Sequence, residues 1–138
     1  MSWLLDTDVL SQPAKTHGNT RVIDWVGEHQ RESYTSTFVI AELTFWVRKA
    51  DARQNSRLRI WLRKLLDEMV GRIHGFSLSI ASVWADQQVE LERQGRKMPL
   101  ADSYIAATAI RYGHTIVTGN DKDYRRPGLK VFNPFKDY

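Results

Sequence analysis

The sequence predicts an α/β fold, a short central parallel sheet flanked by helices. Two observations carry this expectation. Short apolar or β-branched segments alternate with longer ones of helical periodicity, the pattern of strands joined in parallel through helices. Two of the strand-like segments, "WLL" and "TIV", run straight into polar and acidic residues, as strands do at the carboxyl edge of an open sheet. The 138 residues suffice for a single domain over 1–138 and are too few for two of ordinary size.

Each element has a local reason. Ser2–Leu5 reads as a buried strand, apolar and followed at once by polar residues. Asp8–Gln12 predicts a short helix that Pro13 stops. Asn19 or Thr20 can cap a helix running to about Gln30, with Val22, Ile23 and Val26 on one side. Ser33–Thr35 reads as a second strand, and Ser36 then precedes "TFVIAELTFWVRKA", which has helical length and a basic end. From Asn55 to Val70, Leu58, Leu62, Leu65, Leu66 and Met69 recur at helical spacing. "IHGFSL" is a strand candidate, and Ser79 or Ser82 opens a helix ending near Gly95. "GRKMP" is a loop, with Pro99 suited to the first turn of a helix that runs to Tyr112 and stops at Gly113. "TIVTG" and "KVFNP" supply the last strands.

Composition narrows the classes. A hydrophobic fraction of 42% with 26% charged residues is that of an ordinary soluble globular chain. No stretch approaches a membrane span, and the N-terminus does not read as a secretory signal. With no cysteine there is no disulfide framework and no thiolate metal site, which fits a reducing cytoplasm. A net charge of +4 and a pI near 9.5 favour a polyanionic partner. Arg48, Lys49, Arg53, Arg57, Arg59, Arg63, Lys64 and Arg72 crowd the middle of the chain, either as a grip for phosphates or as the solvated face of two amphipathic helices.

The candidate chemistry lies in the acids. Asp6 ends the first strand, and Thr118, Asn120, Asp121 and Asp123 follow "TIV", so both strands deliver polar groups to one edge. Glu42 is the only charged residue between Phe38 and Val47, which is costly unless it faces water, a partner or a cation; a polar stripe with Thr35 and Lys49 is the plainer account. Asp102 has a structural explanation as an acid in a helix's first turn. Yet Ala101, Ala106, Ala107 and Ala109 would let that helix approach other backbone closely. Asp121 by itself reads as a turn residue. Gathered together, such carboxylates repel one another until a hard cation, Mg²⁺ or Mn²⁺ rather than zinc, removes the repulsion. The four histidines show no paired metal-ligand spacing, and the chain has no G-x-S-x-G elbow, P-loop or GxGxxG.

These residues resemble the PIN-domain ribonucleases, specifically the VapC-type toxins of toxin–antitoxin pairs, over essentially the whole chain. "LLDTDVL" is similar to the family's opening motif, with Asp6 as first acid and Thr7 beside it; "TSTFVIAEL" to the second, with Glu42, and Ser36 at a commonly hydroxylic position. "PLADSYIAATA", the most specific piece, carries Asp102, and "TIVTGNDKDY" followed by "VFNP" resembles the last. The resemblance implies a three-layer α/β/α PIN-like domain and Mg²⁺-dependent endonuclease action on RNA, with transfer RNA a common target among relatives. Asp6 and Asp102 would hold the metal, Glu42 would share in binding or orient a water, and Thr7, Ser36, Thr118, Asn120 and Asp121 would support. It implies also a cognate VapB-type antitoxin and a homodimer. Two departures matter: Asp8 stands where many members have Asn, and Asn120 stands two residues after Thr118 where an acid is expected. Asp123 is the expected fourth acid, with Asn120 as neutral ligand or substrate contact.

Two other readings compete. "DTDV" also matches the start of haloacid-dehalogenase-like phosphatases, with Asp6 as nucleophile and Asp8 as acid/base. Asn120 motivates a catalytically degenerate RNA- or partner-binding module.

Overall fold

The computed structural model describes residues 1–126 and 128–137. Strands β1 (Trp3–Leu5), β2 (Ser33–Ser36), β3 (Ile73–His74), β4 (Thr115–Val117) and β5 (Val131–Phe132) form one parallel sheet in the order β3-β2-β1-β4-β5. Seven helices among the described residues flank it: α1 (Thr7–Leu10), α2 (Thr20–Glu28), α3 (Thr37–Lys49), α4 (Ala52–Glu68), α5 (Leu78–Arg93), α6 (Leu100–Tyr112) and α7 (Asp121–Tyr124). This is the expected three-layer α/β/α arrangement.

The central strands are apolar on both faces because helices cover both. Leu4, Leu5, Ile116 and Val117 are all fully buried. Leu5 lies opposite Val117 and Trp3 opposite both Ser33 and Thr115, so β1 and β4 end level with each other. The chain walks outward from β1 through β2 to β3, then crosses back to lay β4 on the other side of β1. The direction of winding therefore switches between β1 and β4, and a crevice opens beyond their carboxyl ends.

Helix starts follow local chemistry. The side chains of Asn19, Ser36, Asp51 and Ser77 accept the N–H groups of Val22, Val39, Gln54 and Ile80. Two of these differ from expectation. The fourth helix begins at Ala52 under an Asp51 cap, three residues before Asn55. The fifth begins under Ser77, ahead of Ser79 and Ser82, which sends Ile80 and Leu91 inward. "IHGFSL" contributes only Ile73–His74 to the sheet. Pro99 caps α6 from outside rather than entering its first turn, and Gly113 stops it with φ 70°. As expected of small residues, Ala106, Ala107 and Ala109 are fully buried, and α6 packs on both α5 and α3. No helix among the described residues is long and apolar enough to cross a membrane.

Candidate active site

Asp6 follows β1 directly and caps α1. Its Oδ1 accepts the Thr7 N–H at 2.8 Å and its Oδ2 accepts the Thr118 hydroxyl at 2.9 Å, while its own N–H extends the pairing to Val117 O at 3.0 Å. Thr118, buried at the end of β4, accepts the Asn120 N–H at 3.0 Å. Glu42 reaches the same place from α3: Thr7 donates its hydroxyl to Glu42 Oε1 at 2.8 Å, and Glu42 is exposed. Asp102 arrives in the first turn of α6, where the Tyr124 hydroxyl donates to its Oδ1 at 3.1 Å. Asp6, Thr7, Asp8, Glu42, Asp102 and Asn120 line one open cleft of about 420 Å³, with Lys15, Phe45 and Trp46 on its wall.

The electrostatics follow from that gathering. Burial, and then the neighbouring Asp8 charge, push the Asp6 carboxyl up to about 7; Glu42 adds to the same effect. Burial raises Asp102 as well, with the Asp123 charge pushing the same way. The Tyr124 phenol is driven far above its ordinary range by burial and by the charges of Asp6, Asp102 and Glu42, so all three acids act on one hydroxyl. Buried carboxylates that repel one another are stabilised by a cation between them.

The donor set fits a hard cation. The candidate ligands Asp6, Asp8, Glu42, Asp102 and Asn120 all offer oxygen, and Asp8 Oδ1 is buried with no hydrogen-bond partner in the structure. Each Asp6 oxygen takes one hydrogen bond and keeps a lone pair. Among the described residues no three His, Asp or Glu side chains cage an ion by themselves. Mg²⁺ is commonly held through one or two carboxylates, with water and substrate phosphate completing its coordination.

The remaining candidates separate. Ser36 caps α3 and is buried, so its hydroxyl serves the helix. Asp121 turns away from the cleft: Arg125, Lys136 and Asn133 surround its carboxylate, and the Arg125 hydrogen bond leads in holding it far below the usual range. Asp123 is exposed on α7, near enough for its charge to act on Asp102, but it does not line the cleft. Asp8, unexplained by sequence, accepts the Gly119 N–H at 2.8 Å and ties α1 to the exit of β4. A Cβ at Gly119 would lie 2.7 Å from Asp8 Oδ2 and 3.0 Å from the Phe135 ring, so a larger residue there would displace one of these side chains.

Three contributors escaped sequence reasoning. Tyr124 is completely buried, Asn133 donates to Gly119 O and Asp121 Oδ1, and Lys15 lines the cleft. "TIVTGNDKDY", which ends on Tyr124, and "VFNP", which contains Asn133, carried the signal of the first two; Lys15 had none.

A parallel α/β sheet with a carboxylate-lined cleft at its switch point defines the class, and comparison with known proteins agrees. The PIN domain family matches residues 3–129. The chain is 31% identical to Toxin FitB of Neisseria gonorrhoeae, covering 97% of this chain and 99% of that one. It is 30% identical to VapC ribonuclease Y4jK of Sinorhizobium fredii (96% and 97%) and to plasmid stability protein StbB of Pseudomonas syringae pv. tomato (96% and 98%). Among solved structures it is similar to FitAcB from Neisseria gonorrhoeae, with a TM-score of 0.90 at 30% identity over 97% of this chain and 99% of that chain. It is similar also to FitAB bound to a DNA fragment, with a TM-score of 0.89 at 28% identity over 99% and 97%. The chain belongs to the PIN-domain family, and its relatives there are VapC- and FitB-type toxins. Nothing in these comparisons supports a haloacid-dehalogenase-like phosphatase.

Proposed function

We propose that the chain is a Mg²⁺-dependent endoribonuclease toxin of a type II toxin–antitoxin pair, with Mn²⁺ able to replace Mg²⁺. One observation carries the reading: acids from β1, α3 and α6 of a PIN-family chain line one cleft. A relative named VapC ribonuclease, 30% identical along nearly the whole chain, supports RNA as the substrate, and transfer RNA is the class to test first.

In this reading Asp6 and Asp102 hold the cation. The cation supplies electrostatic stabilisation to a phosphate that gains charge as it is attacked. Thr7 occupies Glu42 Oε1 and leaves Oε2 free to orient the attacking water and take its proton. Tyr124 in the same way turns Asp102 so that Oδ2 is free. Thr118 and the Thr7 N–H keep Asp6 in one orientation. Asn120 contacts the substrate as a neutral group, and Asp123 adds negative charge beside Asp102. Water attack on phosphorus breaks the P–O3′ bond, leaving a 5′-phosphate on one product while the departing oxygen takes a proton to become the 3′-hydroxyl of the other.

The FitAB and VapBC structures are complexes, and they support a VapB-type antitoxin as partner here. An apolar groove of about 220 Å³ between α2 and α4, lined by Leu10, Pro13, Ile23, Val26, Leu65 and Met69, is the proposed seat for its helix. A homodimer in the cytoplasm completes the reading.

The test is cleavage of total RNA by the purified chain with Mg²⁺ or with EDTA, beside Asp6→Asn. Cleavage that needs both the metal and Asp6, leaving 5′-phosphate ends, supports the proposal. Equal metal-independent cleavage by both proteins overturns it, and RNA binding without any cleavage leaves the degenerate-module reading standing.

A further inference from the structure

The acidic cleft does not close at its carboxylates. Lys15 and Trp46 on its wall also line a second hollow of about 350 Å³, with Thr16, Asp51, Gln54 and Arg57. The two hollows meet along one ridge, and the balance of charge shifts across it. Asp6, Asp8, Glu42 and Asp102 stand on one side; Lys15 and Arg57, both exposed, stand at the ridge and beyond it, with Asp51 occupied as the cap of α4.

The ridge itself is aromatic. Trp46 meets Trp61 edge-on, ring centroids 6.0 Å apart at 82°. Phe45 beside it is 66% exposed, with Lys49 Nζ over its ring at 5.5 Å from the centroid. A competing cationic surface lies elsewhere on the α3–α4 pair. Arg48, Arg59 and Arg63 line a groove with Thr44, Leu62 and Leu66 that shares no residue with the acidic cleft.

We infer that single-stranded RNA leaves the acidic centre over Phe45 and Trp46 and is held in the Lys15–Arg57 hollow, not along the Arg48–Arg59–Arg63 groove. The inference rests on the nuclease reading and gives it a direction. A phosphodiester chain passing an acidic centre is repelled by it unless cations lie on its path; among the described residues Lys15 and Arg57 line the two hollows, and Lys49 Nζ lies 5.5 Å over the Phe45 ring. Exposed rings offer every base a stacking face, and a single strand has unstacked bases to use it. Duplex ends and closed stems lack that freedom.

Binding, not cleavage, tests this. The Asp6→Asn chain is titrated with fluorescein-labelled oligouridylates by fluorescence anisotropy across a salt series. Against that background stand a Lys15→Ala/Arg57→Ala pair and a charge-matched Arg59→Ala/Arg63→Ala pair, all four residues being exposed. Removing two phosphate contacts flattens the log–log salt slope by about 1.4, roughly 0.7 for each contact on a single strand. The expected result is that loss for the first pair, little change for the second, and weaker binding of Phe45→Ala at every salt concentration. Equal losses from both pairs mean diffuse basicity and overturn the inference. An unchanged slope for the first pair also overturns it, and if capture of the co-expressed antitoxin weakens instead, the hollow belongs to that protein. Failure of the nuclease reading would show separately, as wild-type protein that binds RNA through this path and does not cut it.

Discussion

The Thr118 hydroxyl donates to Asp6 Oδ2 at 2.9 Å across 112 residues of chain, joining the exits of β1 and β4. Thr118→Val keeps the volume and removes the donor. A hydrogen bond to a charged group contributes about 1.5–3 kcal/mol, and this one favours the ionised carboxyl. The Asp6 carboxyl therefore rises beyond about 7 in the variant, and the acid limb of the kcat/KM profile moves to higher pH. A pH–rate series measures this; an acid limb left in place would contradict it.

Asp6 should also be a site where function opposes stability. Its carboxyl is raised from 3.8 to about 7 in the folded chain. The folded state thus binds a proton more tightly than the unfolded one, and the associated stability is present below pH 3.8 and lost as pH rises through about 7. In EDTA, Asp6→Asn is expected to be more stable than wild type above pH 7, by on the order of a few kcal/mol at about 1.4 kcal/mol per pH unit. The gain should vanish near pH 4. Mg²⁺ at about a hundred times its Kd should restore about 2.7 kcal/mol to the wild type and little to the variant. Urea denaturation at several pH values checks both.

Tyr124→Phe deletes the hydroxyl that orients Asp102 and leaves the buried ring in place. Partners that orient metal ligands are worth about 10–100-fold in metal affinity or activity. The expected outcome is a loss of that size in Mg²⁺ affinity, read by metal titration of activity, with the melting temperature nearly unchanged. Full activity at low Mg²⁺ would remove Tyr124 from the site.

Away from the cleft, His74 Nε2 and His114 Nε2 lie 2.9 Å apart, with Tyr34 stacked on both rings and Ser2 Oγ 2.6 Å from His114 Nδ1. One neutral imidazole can donate to another; two protonated ones cannot share the contact. Burial, and then His74, lower His114 to about 4, and burial lowers His74. The unfolded chain therefore takes up protons first, so stability is complete above about pH 6.5 and falls as pH drops toward 4. Chemical denaturation at pH 7.5 and 5 should show that loss, reduced in His114→Gln.

Much of this protein was legible in its sequence because the deciding signals are local. Leu58, Leu62 and Leu65 mark one helix face through spacing alone, and "WLL" and "TIV" announce strands buried on both sides. Asp6, Glu42 and Asp102 could be singled out because each acid adjoins an apolar element. Neighbouring serines were harder: Ser77, Ser79 and Ser82 carry the same capping chemistry, and packing of the fifth helix on the sixth selects among them.

The tertiary structure decided what depends on strand order. That Asp121 belongs to Arg125, Lys136 and Asn133, while Asp123 stays exposed with only its charge acting on Asp102, follows from where β4 and β5 place α7. Thr118 meets Asp6, and Gly119 meets Asp8, only because β4 lies beside β1. Periodicity is written into each segment, but a hydrogen bond between segments a hundred residues apart exists only once the sheet has been assembled.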